Sequence, residues 1–229
     1  MRQARSVFIT GTDTGIGKTR ISCALLLAAR RRPLKAVGMK PVASGSTLKD
    51  GEWHNEDADL LRAYSTTPTP DPALMNPYAL EQPIAPQLAA RHAGVVIELE
   101  RLQAAHGALC YGADLVVVEG VGGWAVPYSD NAMQAHLVRA LQLPVILVVG
   151  IRLGCINHAL ISAQAILADG CRLVGWIANR IDPATLCADE VIASITEELD
   201  APLLADVPHG LSVDRMAAIV DPALDPVLV

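Results

Sequence analysis

Gly11-Thr-Asp-Thr-Gly-Ile-Gly-Lys-Thr19 follows a short apolar, β-branched run at Ser6–Thr10 and opens a helical pattern at Lys18–Arg32. A glycine-rich loop between a strand and a helix is the context that a phosphate-binding loop requires. Gly15 and Gly17 allow the backbone to turn its N–H groups toward an anion, and the N-terminus of the helix adds partial positive charge. The stretch therefore predicts a site for nucleotide phosphates at the start of the first helix.

Two side chains at the end of this loop suit a nucleotide. We expect Lys18 to reach the β- and γ-phosphates, and the Thr19 hydroxyl to bind Mg²⁺. The spacing is unusual, because five residues rather than four separate Gly11 from Gly17, and Thr12 stands where the common motif has its first glycine. Gly-Lys-Thr after a strand remains a specific signal, and a plain glycine-rich turn is the alternative.

The rest of the chain alternates apolar runs with helical patterns. The runs are continuously apolar, which is typical of strands buried on both faces of a parallel sheet. Six strands are predicted, at Ser6–Thr10, Lys35–Met39, Asp114–Val118, Pro144–Val149, Leu173–Ala178 and Leu203–Val207. Seven helices are predicted, at Lys18–Arg32, Asp57–Tyr64, Pro86–His92, Glu98–Tyr111, Ala132–Gln142, Cys155–Ala168 and Ala188–Asp200. This alternation predicts one α/β domain over residues 1–229, with a mostly parallel sheet flanked by helices on both faces, as in P-loop NTPases.

Composition excludes several classes of protein. With 52% hydrophobic and 18% charged residues, the chain is not disordered. Its net charge of −6 and its 3% aromatic content argue against nucleic-acid binding through a basic surface or stacked bases. The apolar runs are too short to span a bilayer, and no signal-peptide pattern is present. Five cysteines without C-x-x-C spacing suggest free thiols, so we expect a cytoplasmic protein without membrane or nucleic-acid partners.

Two stretches depart from the alternating pattern. Residues Thr66 to Pro86 are rich in proline, and we interpret them as a structured surface loop near a site, with an interdomain linker as the alternative. Three arginines, Arg30 to Arg32, fall where the first helix should end before Pro33. We interpret them as cations that complement the helix dipole, and contact with phosphate or nucleic acid is the alternative.

Charged residues follow two predicted strands at the sheet edge that carries the phosphate loop. Glu119 comes after Asp114–Val118, where a carboxylate lies beside the loop and suits Mg²⁺, directly or through water. Lys40 follows the second strand, where an ammonium could neutralise a transferring phosphoryl group. Asp57 opens a predicted helix. The alternatives are a solvated strand end for Glu119, a surface lysine for Lys40 and a helix-capping or first-turn acid for Asp57.

Together these residues resemble the dethiobiotin synthetase family. The resemblance rests on seven blocks in one order: GTDTGIGKT at 11–19, MKPVASGS at 39–46, NEDADLL at 55–61, NPYALEQPIAPQLAA at 76–90, VEGVGGWAVPYSD at 118–130, PVILVVGIRLGCINHA at 144–159 and GWIANR at 175–180. It covers nearly the whole chain through about Pro208. The MKPVASGS and LGCINHA blocks are more specific than the phosphate loop and separate this family from other relatives of the same fold.

The resemblance implies a particular reaction. One amine of 7,8-diaminopelargonate and CO₂ form a carbamate, and ATP phosphorylates this carbamate to a mixed anhydride. The second amine then closes the ureido ring, which gives dethiobiotin, ADP and phosphate. ATP is implied as co-substrate and Mg²⁺ as cofactor.

The resemblance also implies roles for individual residues. The group around the transferred phosphoryl is implied to be Thr14, Lys18 and Lys40, with Lys40 in the catalytic position. The Mg²⁺ ligands are implied to be Thr19, Asp57 and Glu119. Further nucleotide contacts are implied for Gly15, Ile16, Gly17, Arg20, Gly120, Val121, Gly122, Arg180, Pro208, His209 and Gly210. Gly15 occupies a position that is often acidic in the family, and the similarity fades after Pro208.

Two more assignments concern adenine and the diamine. Asn179 is implied to read the adenine edge, since its amide offers a donor and an acceptor side by side. Ser44 is implied to touch the carbamate or the diamine. The residues Gly154, Cys155, Ile156 and Asn157 open a predicted helix, whose free N–H groups suit the substrate's carboxylate. In the family this segment comes from the neighbouring subunit, which implies a homodimer with the substrate site at the subunit interface.

Three other readings of the sequence are possible. Another ring- or amide-forming ATPase of the same fold, such as a cobyrinic acid amidating synthetase, carries an extra glutaminase domain, for which this chain is too short. A partitioning-type ATPase switch carries a lysine early in the phosphate loop, where this chain has Thr12 and Asp13. A catalytically silent regulatory relative is disfavoured by the intact Lys18, Lys40 and Glu119.

Overall fold

The structure is a computed structural model, and it describes residues 4–228. The strands in this range are β1 Arg5–Gly11, β2 Ala36–Met39, β3 Val42–Ser44, β4 Thr47–Lys49, β5 Glu52–His54, β6 Tyr78–Leu80, β7 Leu115–Glu119, β8 Val145–Gly150, β9 Leu173–Asn179 and β10 Leu203–Val207. The helices are α1 Lys18–Arg31, α2 Glu56–Tyr64, α3 Pro72–Met75, α4 Pro86–His92, α5 Leu99–Gly112, α6 Gln134–Ala140, α7 Cys155–Ala168, α8 Ala188–Glu198, α9 Val213–Val220 and α10 Asp225–Leu228, with a 3-10 turn at Asp221–Leu224.

A six-stranded sheet forms the centre of the molecule, in the order β10-β9-β8-β1-β7-β2. All of its neighbouring strands are parallel. Each predicted strand coincides with one of these six to within one residue at either end. The predicted fold class, an α/β protein with a P-loop NTPase-like sheet, is therefore confirmed.

Side chains of alternate residues along each strand enter two different cores. Val7 and Ile9 of β1 pack on one face of the sheet with α1 and α9. Phe8, between them, packs on the opposite face with α5, α6 and α7. Because each fully buried side chain of this kind stabilises the fold by about 1.5–3 kcal/mol, both helix layers are held firmly to the sheet.

Smaller elements extend the molecule beyond β2, and the sequence analysis missed them. β4 and β5 form an antiparallel hairpin through Asp50 and Gly51, whose φ angles of 52° and 84° fit a type I′ turn. β3 and β6 form a separate parallel pair. The proline-rich segment is thus a structured excursion from the main domain, in which Met75 and Tyr78 are buried, and the linker alternative is wrong.

The C-terminal segment packs against α1 through the arginine run. Arg32 pairs with Asp221 and Asp225 at 2.7 Å each, and Arg31 pairs with Asp214 at 2.5 Å. The arginines lie at the C-terminus of α1 as expected, but their partners are carboxylates of the last helices and not only the helix dipole. This connection orders a segment for which the sequence analysis predicted no helix.

Two helices begin later than predicted. The helix predicted at Ala132–Gln142 runs only from Gln134 to Ala140, because Tyr128 and Ser129 donate their backbone N–H groups to Ala132 in a turn. α5 starts after Glu98, which occupies the N-cap position. No helix among residues 4–228 has the length and apolar character needed to cross a membrane.

Candidate active site

The candidate site lies at the carboxyl ends of β1, β2 and β7. Met39 of β2 is in register with Val118 of β7, so the next residues along, Lys40 and Glu119, meet at the sheet edge. The phosphate loop follows β1, which lies between β7 on one side and β8 on the other. Its Gly17 has a φ of 89°, and a Cβ there would lie 2.3 Å from Nδ2 of Asn179, so glycine is required on two grounds.

Four predicted residues meet in one hydrogen-bonded cluster. Lys40 Nζ donates to Glu119 Oε1 at 2.6 Å and to Asp57 Oδ2 at 2.9 Å. The Thr19 hydroxyl lies 2.8 Å from Asp57 Oδ1 and 2.9 Å from Glu119 Oε1. These side chains come from four different elements or loops, so the cluster exists only in the folded chain. The surface-lysine and solvated-strand-end alternatives are wrong, because Lys40 is 3% exposed and Glu119 is fully buried.

The electrostatics of the cluster favour its charged forms. Burial alone would lower the pKa of Lys40, but the Glu119 and Asp57 carboxylates outweigh it and hold that pKa above its ordinary value. Burial opposes ionisation of Asp57, yet Lys40 and the Thr19 hydroxyl hold its pKa below the ordinary value. Lys40 is therefore a permanent cation at neutral pH.

A neighbouring asparagine positions Asp57. Asn55 caps α2, and its Oδ1 accepts from the backbone N–H groups of Asp57 and Ala58 at 3.1 and 3.3 Å. Its Nδ2 donates to the carbonyl of Ser44 at 3.2 Å. The capping role suggested as an alternative for Asp57 thus belongs to Asn55. Asp57 does lie in the first turn of α2, and its carboxylate contacts Lys40 and Thr19. The Asn-x-Asp spacing at a helix start was a signal for this cap.

Lys18 lies apart from the carboxylates. Its Nζ donates to the carbonyl of Asp13 at 2.7 Å, within its own loop. Burial first, and then repulsion from Lys40, lower the pKa of Lys18 to about 8. The carboxylates of Glu119, Asp57 and Asp13 partly offset this fall. A negatively charged phosphate beside Lys18 would relieve the repulsion between the two lysines.

A cavity of about 820 Å³ opens over this cluster. The predicted residues that line it are Thr14, Gly15, Gly17, Lys18, Thr19, Lys40, Ser44, Asp57, Glu119, Val121 and Gly122. Its other walls were not predicted as site residues and consist of Ala43, Asn55, Pro83, Ile84, Ala85, Pro86, Gly123, Ala125, Val126 and Pro127. The proline-rich segment therefore does reach the site, as the sequence suggested.

A second cavity, of about 400 Å³, adjoins the first through the phosphate loop. Its lining includes the predicted residues Gly15, Gly17, Arg20, Asn179, Arg180, Pro208, His209 and Gly210. Asn179 Nδ2 donates to the carbonyl of Ile16 at 2.7 Å, which leaves its second N–H and its carbonyl oxygen for a ligand. Because Gly15 and Gly17 belong to both linings, an extended ligand can run from one cavity to the other across the loop.

Two arginines of the second cavity already have partners. Arg180 is paired with Asp206 at 2.7 Å and with Asp189 at 2.5 Å. Arg20 donates to the carbonyl of Leu211. Arg180 therefore links β10 to α8, and Arg20 contacts the segment after β10. Both side chains form part of the cavity wall and do not offer a ligand a free guanidinium.

The residues Gly154 to Asn157 lie at the same sheet edge but line neither cavity. They follow β8, which is three strands away from β2, a separation of roughly 14 Å at the usual spacing. Cys155 is buried in the core, whereas Gly154 and Asn157 are exposed. Within one chain, this helix start therefore does not meet Lys40.

Comparisons with known proteins show which family the chain belongs to. A family model described as an AAA domain matches residues 5–217. The ATP-dependent dethiobiotin synthetase BioD of Xylella fastidiosa (strain 9a5c) is 53% identical over 221 residues, which cover 95% of this chain and 97% of the relative. The same-named protein of Aromatoleum aromaticum is 54% identical over 216 residues, which cover 93% and 95%.

Solved structures are similar in fold alone. The MinC:MinD cell division protein complex of Aquifex aeolicus has a TM-score of 0.59 at 15% identity, and covers 96% of this chain and 94% of that one. A ParA family ATPase from Chlorobium tepidum TLS has a TM-score of 0.56 at 13% identity, with coverage of 97% and 93%. Since more than half of the residues are shared with the sequence relatives along almost their full length, this chain belongs to the ATP-dependent dethiobiotin synthetase family.

Proposed function

We propose that this protein closes the ureido ring of dethiobiotin from 7,8-diaminopelargonate, CO₂ and ATP, as one domain over residues 1–229. The observation that carries the proposal is Lys40, a buried cation held between Glu119 and Asp57 where the phosphate loop meets the larger cavity. Phosphoryl transfer depends mainly on positioning and charge neutralisation, which is what such a lysine supplies.

The two cavities support a placement for ATP. The smaller cavity, with Asn179, would take the adenine, and the triphosphate would cross Gly15 and Gly17 into the larger one. Lys18 and Thr14 would then face the terminal phosphate. The Asn179 carbonyl oxygen suits the adenine amino group, and its remaining N–H suits the ring nitrogen beside it.

The donor set supports a Mg²⁺ site at Thr19, Asp57 and Glu119. Glu119 Oε2 is buried and has no hydrogen-bond partner among residues 4–228, so one carboxylate oxygen is free for a cation. No cluster of three or more His, Cys, Asp or Glu side chains in that range could hold a metal by itself. Two carboxylates and a hydroxyl suit Mg²⁺, which completes its shell with phosphate oxygens and water. When bound, Mg²⁺ neutralises charge on the phosphates.

The reaction proceeds in three bond-forming steps. An amine nitrogen of the diamine attacks CO₂ and loses a proton, which gives the carbamate. A carbamate oxygen attacks the γ-phosphorus, and the bond to ADP breaks while Lys40 and Lys18 stabilise the charge of the transferring group. The second amine attacks the carbonyl carbon, the bond to phosphate breaks, and phosphate and a proton leave as the ring closes. Ser44 also lines this cavity, where it would touch the carbamate or the diamine.

The geometry supports a homodimeric site. Ile156 and Asn157 lie in the first turn of α7, where no helical carbonyl accepts from their N–H groups, whereas Cys155 donates its N–H to the carbonyl of Arg152. Within the chain this helix start stands apart from Lys40. A two-fold arrangement would bring this helix start to the partner's cavity and place the substrate's carboxylate there. The five cysteines are all free, which favours a reducing compartment such as the cytoplasm.

A coupled assay tests the reaction directly. Purified protein is incubated with ATP, Mg²⁺, bicarbonate and the diamine, and dethiobiotin is detected by mass spectrometry. Lys40→Ala should lower turnover about 10²-fold or more, by analogy with lost transition-state donors. Lys35→Ala, at an exposed lysine beside the same strand, is the matched control and should keep full activity. Folded wild-type protein that forms no product would refute the proposal.

Mixing two inactive variants tests the shared site. Gly154, just before α7, has a φ of 91°, so Gly154→Val strains the backbone there. The variant should disable the start of α7 that one subunit supplies to the site of its partner. In a mixed dimer with Lys40→Ala, one site carries both defects and the other carries neither, so about a quarter of the wild-type activity should return. If mixing restores no activity, although each variant is folded and dimeric, both groups serve one site within a single chain.

A further inference from the structure

Gln134 is a buried polar residue that the proposed reaction does not use. It is the first residue of α6, and none of its surface is exposed. Burying an amide costs free energy of folding unless its donors and acceptors are paired. The hydrogen-bond partners of Gln134 therefore indicate its role.

These partners belong mainly to the glycine-rich loop after Glu119. The backbone N–H of Val121 donates to Gln134 Oε1 at 2.9 Å. Gln134 Nε2 donates to the carbonyl of Gly123 at 2.8 Å. The Tyr128 hydroxyl gives Oε1 a second donor at 3.2 Å. One side chain thus holds the loop from both ends by a matched pair of hydrogen bonds.

The loop that Gln134 holds forms part of the candidate active site. Val121, Gly122 and Gly123 line the larger cavity, and none of them lines the smaller cavity beside Asn179. The carbonyl of Gly120, at the start of the loop, accepts from Lys40 Nζ at 3.2 Å.

The loop has little freedom to move toward its neighbours. A Cβ on Gly120 would lie 2.8 Å from Gln134 Oε1 and 2.8 Å from the Phe8 ring. A Cβ on Gly123 would lie 3.5 Å from the carbonyl oxygen of Gly11, so the loop also packs on the phosphate loop. A shift of the loop away from Gln134 would therefore change the shape of the larger cavity.

We propose that Gln134 is a positioning residue that sets the backbone of Val121–Gly123 for the diamine and its carbamate. The proposal rests on the proposed function, because it assigns the larger cavity to that substrate. An unbranched apolar side chain could fill the same volume, but it would leave the Val121 N–H and the Gly123 carbonyl unpaired. Gln134 therefore acts on the substrate through the loop and not by touching it.

Gln134→Met is the variant that tests this role, since it keeps the length of the side chain and removes both loop hydrogen bonds. We expect the KM for the diamine to rise about tenfold, the effect of one lost buried hydrogen bond, and kcat to fall. The affinity for ATP, measured by calorimetry, should fall less than the affinity for the diamine, because the adenine is placed in the smaller cavity, whose lining does not include the loop. Tyr128→Phe is the matched control, since it removes the hydroxyl donor to Gln134 Oε1 and leaves both loop hydrogen bonds.

The outcomes separate a positioning role from a purely structural one. A higher KM for the diamine in Gln134→Met, with near-normal values in Tyr128→Phe, supports the proposal. Unchanged kinetic constants in Gln134→Met overturn it. If Gln134→Met does not fold, Gln134→Glu is the second variant. It keeps the acceptor for the Val121 N–H and replaces the amide donor to Gly123 and Trp124 by a carboxylate oxygen. Failure of both variants to fold, or normal kinetics in the folded one, likewise overturns the proposal. A wild-type protein that makes no dethiobiotin refutes the proposed function instead.

Discussion

Lys40 and Glu119 form an ion pair of 2.6 Å in which the lysine side chain is 3% exposed and the glutamate side chain is fully buried. They follow β2 and end β7, two adjacent parallel strands, and are 79 residues apart in the chain. Removing one partner of such a pair leaves a buried charge without compensation, which is strongly unfavourable. A substitution of either residue is therefore expected to change both the free energy of unfolding and the charge of the candidate site.

Glu119→Gln should disable the proposed Mg²⁺ site while keeping the shape of the side chain. We expect turnover to fall about 10²-fold or more, because the charge that balances Lys40 and would hold the metal is lost. Calorimetry should also show that Mg²⁺ tightens ATP binding less in the variant than in the wild type. Glu56→Gln, at an exposed first-turn position of α2, is the control and should behave as wild type. Equal Mg²⁺ dependence in Glu119→Gln and wild type would remove Glu119 from the metal site.

Asn179→Ala should weaken recognition of adenine. We expect the KM for ATP to rise about tenfold and the preference for ATP over GTP to shrink, because the amide that would pair with the base edge is removed. The variant also loses the hydrogen bond from Asn179 to the carbonyl of Ile16 in the phosphate loop. For this reason kcat is also measured at saturating ATP, where a lower value would indicate distortion of the phosphate loop and not weaker binding of the base. Asn131→Ala, at an exposed asparagine, is the control. An unchanged ratio of ATP to GTP use would contradict the adenine assignment.

Arg32→Ala should destabilise the fold without changing the reaction. Arg32 holds the last helices to α1 through Asp221 and Asp225, but these carboxylates are 38% and 65% exposed, so solvent screening reduces the effect to about 1 kcal/mol. Hydrogen bonds from Arg32 hold the pKa of Asp221 below its ordinary 3.8, so the contribution is present at neutral pH and is lost as the pH falls below that value.

Urea unfolding measures this loss for Arg32→Ala. Arg30→Ala is the control, since within residues 4–228 the Arg30 side chain donates only to the carbonyl of Tyr64, at 3.2 Å. The difference between the two variants should shrink in molar salt, as expected for partly exposed ion pairs. Equal unfolding midpoints for both variants at low salt would contradict the anchoring role of Arg32.

His106 should make the stability of the protein depend on pH. It is 8% exposed, its Nε2 lies 2.9 Å from the Ser6 hydroxyl, and burial lowers its pKa below the ordinary 6.5. The unfolded chain therefore takes up the proton at a higher pH than the folded chain. The free energy of unfolding should fall as the pH drops below about 6.5, and the fall should end once the pH lies below the pKa of the folded state.

His106→Gln isolates this effect, because glutamine does not titrate in that range. We expect the loss of unfolding free energy between pH 8 and pH 5.5 to be smaller in His106→Gln than in the wild type. His158→Gln, at a half-buried position, is the control for the exchange of a histidine for a glutamine. Parallel pH curves for His106→Gln and wild type would show that His106 is not the responsible group.

The short elements outside the main sheet were not predicted from the sequence. The β4–β5 hairpin carried a signal that was missed, since Asp50-Gly51 is typical of a type I′ turn. The β3–β6 pair carried none, because it joins two three-residue segments through contacts distant in the chain. Helix α9 has a clear apolar face, with Met216, Ala217 and Val220 buried, and this period could have predicted it.

The amino-acid sequence by itself determined the phosphate loop and the six core strands, because a strand–loop–helix signal and continuous apolar runs are properties of neighbouring residues. The family was identified by the resemblance of seven sequence blocks to it. It also singled out Lys40, Asp57 and Glu119 as candidates. Only the tertiary structure decided that these three touch one another, that Asn55 rather than Asp57 caps α2, and that Gln134 holds the loop after Glu119. The reason is that strand register and side-chain burial depend on segments far apart in the chain, which no local pattern encodes.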